Sequence, residues 1–222
     1  NYTKASMHSR IEEFFDPSRK YICLLDDNIF ACKDWKSIFN ELIATGHKFQ
    51  FKQGMDERLL TEEKCDYLFN KANYYGDYTF AFDNIKDRPI IEKKLQMIRD
   101  FTSRQCRFYL FCGFNHDKPG IYSEEFWKQD IVDMFERIRI LMKYKCIPYI
   151  MRYKDYELSP HRGIYITVAR WCNQVSMFKK KSFREFCNLC GENSSAMRYL
   201  QEFEKEHTDI ATEYFDIKFM DK

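Results

Sequence analysis

Residues 21–28 read Tyr-Ile-Cys-Leu-Leu-Asp-Asp-Asn, a short apolar run that ends abruptly in polar residues. An amphipathic stretch follows over about Trp35–Ala44, and Gly46 is a typical helix stop. A nearly continuous apolar run is typical of a strand that is covered on both faces, and parallel sheets are built from strands followed by helices. This stretch therefore predicts one βα unit.

The same alternation of strand and helix recurs along the chain. The predicted strands are Tyr21–Leu25, His47–Lys52, Tyr78–Phe82, Arg107–Cys112 and Ile147–Met151. Thr61 is a typical N-cap for the helix that follows the second strand, and Pro89 suits the first turn of the helix after the third. The buried stripe of that third helix is predicted to be Ile90, Ile91, Leu95 and Ile98.

After the fifth strand the alternation weakens. Residues 159–163 read as a loop, and Ile164–Ala169 is compatible with either a strand or a helix. Helices are predicted over about Arg184–Leu189 and Ser195–Glu206. The predicted fold class is α/β: a partial (β/α) barrel of about five parallel βα units over residues 1–155, with a mainly helical C-terminal appendage at 156–222 packed on it.

Composition limits the partners and the compartment. A net charge of +2 gives no strong field to attract nucleic acid, and no apolar run approaches the roughly 20 residues that span a bilayer. Nine scattered cysteines indicate a reducing compartment, so a cytoplasmic protein without a membrane partner is predicted. Because the chain starts at Asn1, we expect an incomplete N-terminus.

Polar residues follow each predicted strand, at the end where parallel barrels gather their functional groups. The segments are Asp26-Asp27-Asn28, Gln53 to Arg58 (Gln-Gly-Met-Asp-Glu-Arg), Asp83-Asn84, Gly113-Phe114-Asn115 and Arg152-Tyr153. Taken in order, they resemble successive strand ends of radical S-adenosylmethionine (SAM) enzymes over roughly residues 21–153. The resemblance implies a SAM-dependent radical enzyme that abstracts hydrogen from its substrate.

The defining motif of that family is Cys-x3-Cys-x2-Cys, whose thiolates hold a [4Fe-4S] cluster that binds SAM. None of the nine cysteines shows that spacing. We therefore expect SAM and the cluster in the full-length protein, with the cluster-binding unit before Asn1, and neither cofactor bound to this chain, which alone would be inactive. The alternative is a degenerate member that never had the motif.

Five candidate cofactor-binding residues follow the first two strands. The resemblance implies that Asp27 and Asn28 lie where the backbone holds the methionyl amino group of SAM, whereas the alternative is a helix-capping turn. Gln53, Asp56 and Arg58 would orient the SAM carboxylate or a substrate. Alternatively, Asp56 and Arg58 form a structural salt bridge with each other.

Five further candidates follow the later strands. Asp83 and Asn84 match family positions that bind the ribose hydroxyls, with loop capping as the alternative. Gly113 and Asn115 belong to a turn that resembles the segment passing the adenine, although a glycine there also serves a tight turn. Arg152 would clamp a carboxylate or a phosphate, or would pair with a neighbouring acid.

Two other patterns have plain structural explanations. Cys172, Cys187 and Cys190, with a histidine such as His161 or His207, would suit zinc or an auxiliary cluster, but their spacing also suits a buried helix face, so no metal ligand is predicted. The basic run at 179–181 near Arg170 and Trp171 would suit a nucleic-acid backbone, but it reads more simply as a solvated turn.

Two functions remain open from the sequence. The first is the C-terminal part of a radical SAM enzyme, which provides the wall that binds SAM and substrate. The second is a non-catalytic module with a degenerate barrel that binds a ligand or a protein. In either case the first strand would expose an unpaired edge to a missing N-terminal segment, to another chain or to a second copy in a homo-oligomer.

Overall fold

The structure is a computed structural model that describes residues 5–7, 9–25 and 28–219. Its strands are β1 (Tyr21–Leu24), β2 (Lys48–Phe51), β3 (Tyr78–Ala81), β4 (Cys106–Cys112) and β5 (Ile147–Arg152). Its α-helices are α1 (Ile11–Phe14), α2 (Trp35–Ala44), α3 (Glu62–Cys65), α4 (Arg88–Phe101), α5 (Glu124–Lys143), α6 (Arg162–Asn173), α7 (Val175–Lys180), α8 (Phe183–Leu189), α9 (Ser195–Glu206) and α10 (Thr208–Tyr214).

The strands form two parallel sheets. β1 pairs with β2 in a register that places Tyr21 opposite Lys48 and Leu24 opposite Phe51. The second sheet has the order β3–β4–β5. The predicted α/β class with parallel strands is therefore confirmed.

The chain divides into two compact units, of which the first comprises residues 1–81 and 88–107 and the second comprises 82–87 and 108–222. The predicted boundary after residue 155 stays a prediction. In the first unit the core forms around Phe39, whose ring lies 5.5 Å from that of Phe51 and 6.0 Å from that of Phe49. Both β2 rings are buried because alternate residues of a strand face one side.

Two details of the first unit differ from the prediction. Tyr21 and Cys23 are exposed, so β1 is not covered on both faces, and β2 is its one strand partner among the residues described. Ile90 is also exposed, whereas Ile91, Leu95 and Ile98 are buried. Residues 91, 95 and 98 keep the helical spacing of four and three, and residue 90 lies about 100° around the helix from them.

The helix ends follow the signals of the sequence. Thr61 accepts a hydrogen bond from the backbone N–H of Lys64, which confirms it as an N-cap, and Pro89 lies in the first turn of α4. Beyond α3 the chain continues as a π-helix over Asp66–Lys71. Within the described part of the chain, no helix is both long and apolar enough to cross a bilayer.

The second unit resolves the ambiguous segment at Ile164–Ala169, which is helical and lies within α6. Gly163 explains how closely this helix approaches α9, because a Cβ atom at that position would overlap the ring of Tyr199. Apolar side chains on both helices, including Val168 and Leu200, are buried in this contact region of the unit. The close approach joins the N-terminus of α6 to the later turns of α9.

A buried arginine organises the strand ends of the second unit. Arg137 of α5 is 1% exposed, and its Nη1 atom donates to the carbonyl oxygens of Phe82, Asp83 and Phe111, each at 2.9 Å. Its Nε atom donates to the carbonyl oxygen of Asp133 at 3.1 Å. One side chain thus donates to backbone carbonyls that follow β3 and lie near the end of β4, and a buried carbonyl requires such a donor.

We expect Arg137→Met to lower the free energy of unfolding by roughly 3–5 kcal/mol, because it removes four hydrogen bonds that the buried guanidinium donates. Urea unfolding followed by circular dichroism measures the change. Arg170→Met is the matched control, since Arg170 is an exposed helical arginine of the same unit and its loss should cost about 0.5 kcal/mol or less. Equal losses for the two variants would contradict this role of Arg137.

Candidate functional site

In the first unit, the predicted residues after β2 bind to one another. Arg58 makes a two-pronged ion pair with Asp56, from Nε to Oδ1 at 2.8 Å and from Nη2 to Oδ2 at 2.9 Å. The backbone N–H of Asp56 also donates to Oδ1 of Asn28 at 3.5 Å, a long contact. The structure therefore brings Asn28, Asp56 and Arg58 together. Asp56 and Arg58 form the salt bridge that the sequence allowed as the alternative to a ligand role.

The remaining predicted residues of this group contribute less. Gln53 is exposed, and its side chain makes no hydrogen bond within the described residues. Asp27 lies outside the described residues, so its predicted role stays a prediction.

Glu57 is a residue of this group that sequence reasoning missed. It is 1% exposed, and its Oε2 atom accepts a hydrogen bond from the backbone N–H of Ala81 at 3.3 Å. Burial, followed by the negative charge of Asp56, raises the pKa of Glu57 to about 8 against opposing hydrogen bonds. A carboxyl group with such a pKa can give or take a proton near neutral pH.

The sequence offered little warning of this burial. A glutamate between Asp56 and Arg58 reads as part of a solvated loop. The 3-10 turn Glu57–Leu59 and the parallel bridge between Met55 and Phe80 place its side chain against the end of β3 instead. Only these tertiary contacts distinguish Glu57 from its charged neighbours.

In the second unit, Asp83 and Asn84 bind the backbone of their own surroundings. Oδ1 of Asp83 accepts a hydrogen bond from the backbone N–H of Phe111 at 3.1 Å. Oδ1 of Asn84 accepts from the backbone N–H of Lys86 at 3.0 Å, which caps the 3-10 turn Ile85–Asp87. The geometry thus includes the loop capping that the sequence left open for Asn84.

Gly113 and Asn115 are likewise engaged within the chain. Gly113 has a φ of 79°, and a Cβ atom there would lie 2.9 Å from Cβ of Tyr156, so the position requires glycine. Asn115 accepts from the backbone N–H groups of Asp117 and Lys118 and donates to the carbonyl oxygen of Ile121. The amide of Asn115 therefore holds its own loop together.

Arg152, in contrast, has no carboxylate partner within the described residues. It is exposed, and its guanidinium lies 4.6 Å from the ring centroid of Tyr156. This geometry disfavours the alternative in which Arg152 pairs with a neighbouring acid. The guanidinium keeps its donors for an anionic ligand.

An aromatic cluster surrounds the carboxyl ends of β4 and β5. The rings of Phe111, Phe114 and Tyr153 lie 5.0–5.8 Å from one another, and His116 lies 5.0 Å from Phe114. All of these rings remain at least partly exposed. Tyr153 follows Arg152 in the chain, and the backbone N–H of Phe111 donates a hydrogen bond to Asp83. The cluster therefore offers apolar ring faces beside charged groups.

A buried acid supports this end of the unit. Oδ2 of Asp130 accepts hydrogen bonds from the backbone N–H of Gly113 at 2.8 Å and from the hydroxyl of Tyr165 at 2.7 Å. Burial raises the pKa of Asp130, and the two hydrogen bonds and the charge of Arg137 oppose that rise. Asp130 could not be recognised from the sequence, because its helix position resembles that of any exposed acid.

The cysteines do not fit an iron-sulfur cluster. None has the motif spacing, seven of the nine are buried, and no three described cysteines lie close enough to share a metal ion. Burial raises the pKa of Cys187 to about 12 and that of Cys172 well above the usual value, which disfavours the thiolate that binds metal. Cys172 and Cys187 are both buried, which agrees with the interpretation that they belong to a buried helix face.

The basic run at 179–181 lacks its expected aromatic partner. Trp171 is fully buried, and its Nε1 atom donates to the carbonyl oxygen of Lys181 at 3.0 Å. Its indole is therefore not available to stack on a base.

Comparison of the chain with protein-family models, with curated proteins and with solved structures gave no match. Functional inference therefore depends on the residues and their geometry.

The raised pKa of Glu57 predicts that the free energy of unfolding depends on pH. Because its folded pKa is raised from 4.5 to about 8, its protonated form stabilises the fold fully below pH 4.5, and that stability is lost as the pH rises through about 8. Glu57→Gln stays neutral, so the free energy of unfolding of the wild type should fall relative to the variant by about 1.4 kcal/mol per pH unit within that window. Urea unfolding at several pH values measures the difference. A difference that does not change with pH would disprove the raised pKa.

Proposed function

We propose that this chain forms the SAM- and substrate-binding wall of a radical SAM enzyme, with the cluster-binding unit supplied by sequence outside these 222 residues. The observation that carries the proposal is the order of the strands. β1 pairs with β2, the bridge from Met55 to Phe80 continues from β2 toward β3, and β3–β4–β5 follow in line. Parallel strands that neighbour each other in chain order are typical of a barrel wall, whereas doubly wound sheets reverse their order at a switch point.

The polar strand ends support the same interpretation. Barrels of parallel βα units bind their ligands at the carboxyl ends of their strands. The residues that resemble the family's SAM contacts follow successive strands in the same order. We therefore propose that the parallel α/β architecture of this chain is a partial barrel.

The second unit offers the groups that a nucleoside with an amino-acid tail requires. Phe111, Phe114 and Tyr153 provide ring faces for an adenine, since aromatic rings favour offset stacking. Arg152, which has no carboxylate partner among the described residues, provides a guanidinium for a carboxylate. Gly113 and Asn115 would contribute shape, because their polar groups are already bonded within the chain.

Under this proposal the chain binds SAM but does not itself cleave it reductively. Its buried, widely spaced cysteines do not fit the cluster, so no redox step is assigned to it. The substrate class stays open, since the fold supports many chemistries.

One observation favours the alternative of a non-catalytic binding module. Among the described residues β1 has a strand partner on one side, and Tyr21, Cys23 and Leu25 along it are exposed. An edge of this kind can pair with another strand, from another segment or from another chain. Under the alternative, this pairing and not SAM binding would be the purpose of the fold.

SAM binding by the chain tests the proposal, measured by isothermal titration calorimetry with SAM and S-adenosylhomocysteine. We expect Arg152→Gln to weaken binding roughly tenfold or more, because a hydrogen bond to a charged group contributes about 1.5–3 kcal/mol. Arg170→Gln is the matched control, since it makes the same change at an exposed arginine of α6, outside the aromatic cluster, and should bind SAM like the wild type.

The parent protein provides the second test. Anaerobic reconstitution with iron and sulfide should give a [4Fe-4S] species that forms 5′-deoxyadenosine from SAM under reduction. If neither the chain nor the reconstituted parent acts on SAM, and the parent contains no Cys-x3-Cys-x2-Cys motif, the radical SAM proposal is wrong and the binding-module alternative stands.

A further inference from the structure

Two histidines and a glutamate meet in the second unit, away from the strand ends considered above. His161 directly precedes α6, His207 lies between α9 and α10, and Glu206 is the last residue of α9. The Nε2 atoms of the two histidines lie 3.2 Å apart. Candidate ligand atoms from all three residues lie within 4.8 Å of one another.

We infer that His161, His207 and Glu206 form a Zn²⁺ site. Zinc binds imidazole nitrogen at about 2.0–2.1 Å, so two tetrahedral nitrogen ligands lie roughly 3.3 Å apart. The observed separation of 3.2 Å therefore matches the spacing that the ion requires. Two histidines and one carboxylate are also a ligand set that leaves a fourth position open in zinc enzymes.

The fold holds the two imidazoles in place before any ion binds. The ring of Phe203 lies 5.0 Å from the ring of His161 and 4.8 Å from that of His207. The backbone N–H of His161 donates to Oγ of Ser159, and the backbone N–H of His207 donates to the carbonyl oxygen of Phe203. The ligand positions are therefore set by packing and by the backbone.

Glu206 completes the set as an adjustable ligand. Its Oε2 atom lies 3.9 Å from Nδ1 of His161, and its side chain is 61% exposed. An exposed glutamate at a helix end changes rotamer at little cost, which allows its carboxylate to close on the ion. The close contact of Gly163 with Tyr199 explains why residues so far apart in the chain meet here.

The surroundings favour a divalent cation. A cavity of about 310 Å³ adjoins the site and is lined by Glu202, Glu206, Arg162 and apolar residues of α6 and α9. Two of the lining residues, Glu202 and Glu206, carry carboxylates, and Glu202 also lies 3.9 Å from the guanidinium of Arg198.

The alternative is a hydrogen bond between two neutral imidazoles that only packs α6 against α9. In that arrangement the Nε2 of one ring donates to the Nε2 of the other, and no ion takes part. Metal binding distinguishes the two arrangements, and it does so independently of the proposed SAM function.

The experiment measures Zn²⁺ binding to the metal-free chain by competition with a chromophoric chelator. We expect one equivalent of zinc, with binding weakened more than roughly tenfold by His161→Gln, by His207→Gln and by Glu206→Gln, since even the loss of an outer partner of a ligand costs about 10–100-fold. His116→Gln is the matched control, because His116 is an exposed loop histidine of the same unit.

Two further measurements protect the interpretation. Zinc should raise the thermal midpoint of the wild type and of His116→Gln but not of the three ligand variants, whose metal-free circular dichroism should match the wild type. Cobalt in place of zinc should give visible absorbance without a thiolate charge-transfer band, which excludes the cysteines as ligands. Absence of zinc binding by the wild type, full binding by any of the three ligand variants, or a thiolate band would overturn the assignment.

Discussion

Arg137 places a positive charge among the carbonyl oxygens of Phe82, Asp83 and Phe111, where its side chain is almost completely removed from water. Burying a guanidinium costs free energy unless its donors are satisfied. The helix that carries Arg137, α5, can therefore pack only where those carbonyls converge. The constraint also works in reverse, because the carbonyls need donors. The strand ends of the second unit, with their polar and aromatic side chains, therefore depend on one residue of α5.

Each of the two units also contains a buried acidic residue near the end of a strand. Glu57 in the first unit and Asp130 in the second each accept a backbone hydrogen bond close to the end of a strand, and burial raises the pKa of each. Such groups stabilise the local fold while protonated or hydrogen-bonded, and they keep proton-transfer capacity near the strand ends. Their placement is compatible with a ligand-binding wall, although neither residue belongs to the motifs that suggested one.

The predicted contacts of SAM divide into two kinds once the geometry is known. Asp56, Arg58, Asn84, Gly113 and Asn115 make hydrogen bonds or ion pairs inside the chain. Arg152 and the aromatic cluster keep exposed surfaces that can meet a ligand. A ligand-binding role for this chain therefore depends most on Arg152 and its aromatic neighbours. Gly113 and Asn115, which belong to the same unit as Arg152, hold their own loop together.

The pattern of apolar and polar residues was sufficient to place the strands within about one residue and the helices α2 and α9 at their observed ends, since period and capping are local properties. It also located polar groups at the strand ends. It did not reveal that β1 lacks cover, that Glu57 and Arg137 are buried, or that His161 meets His207 across 46 residues of chain. Those features arise from which surfaces the folded chain brings together, and a charged residue carries no local mark of the carbonyl, acid or imidazole that it will meet in the folded protein.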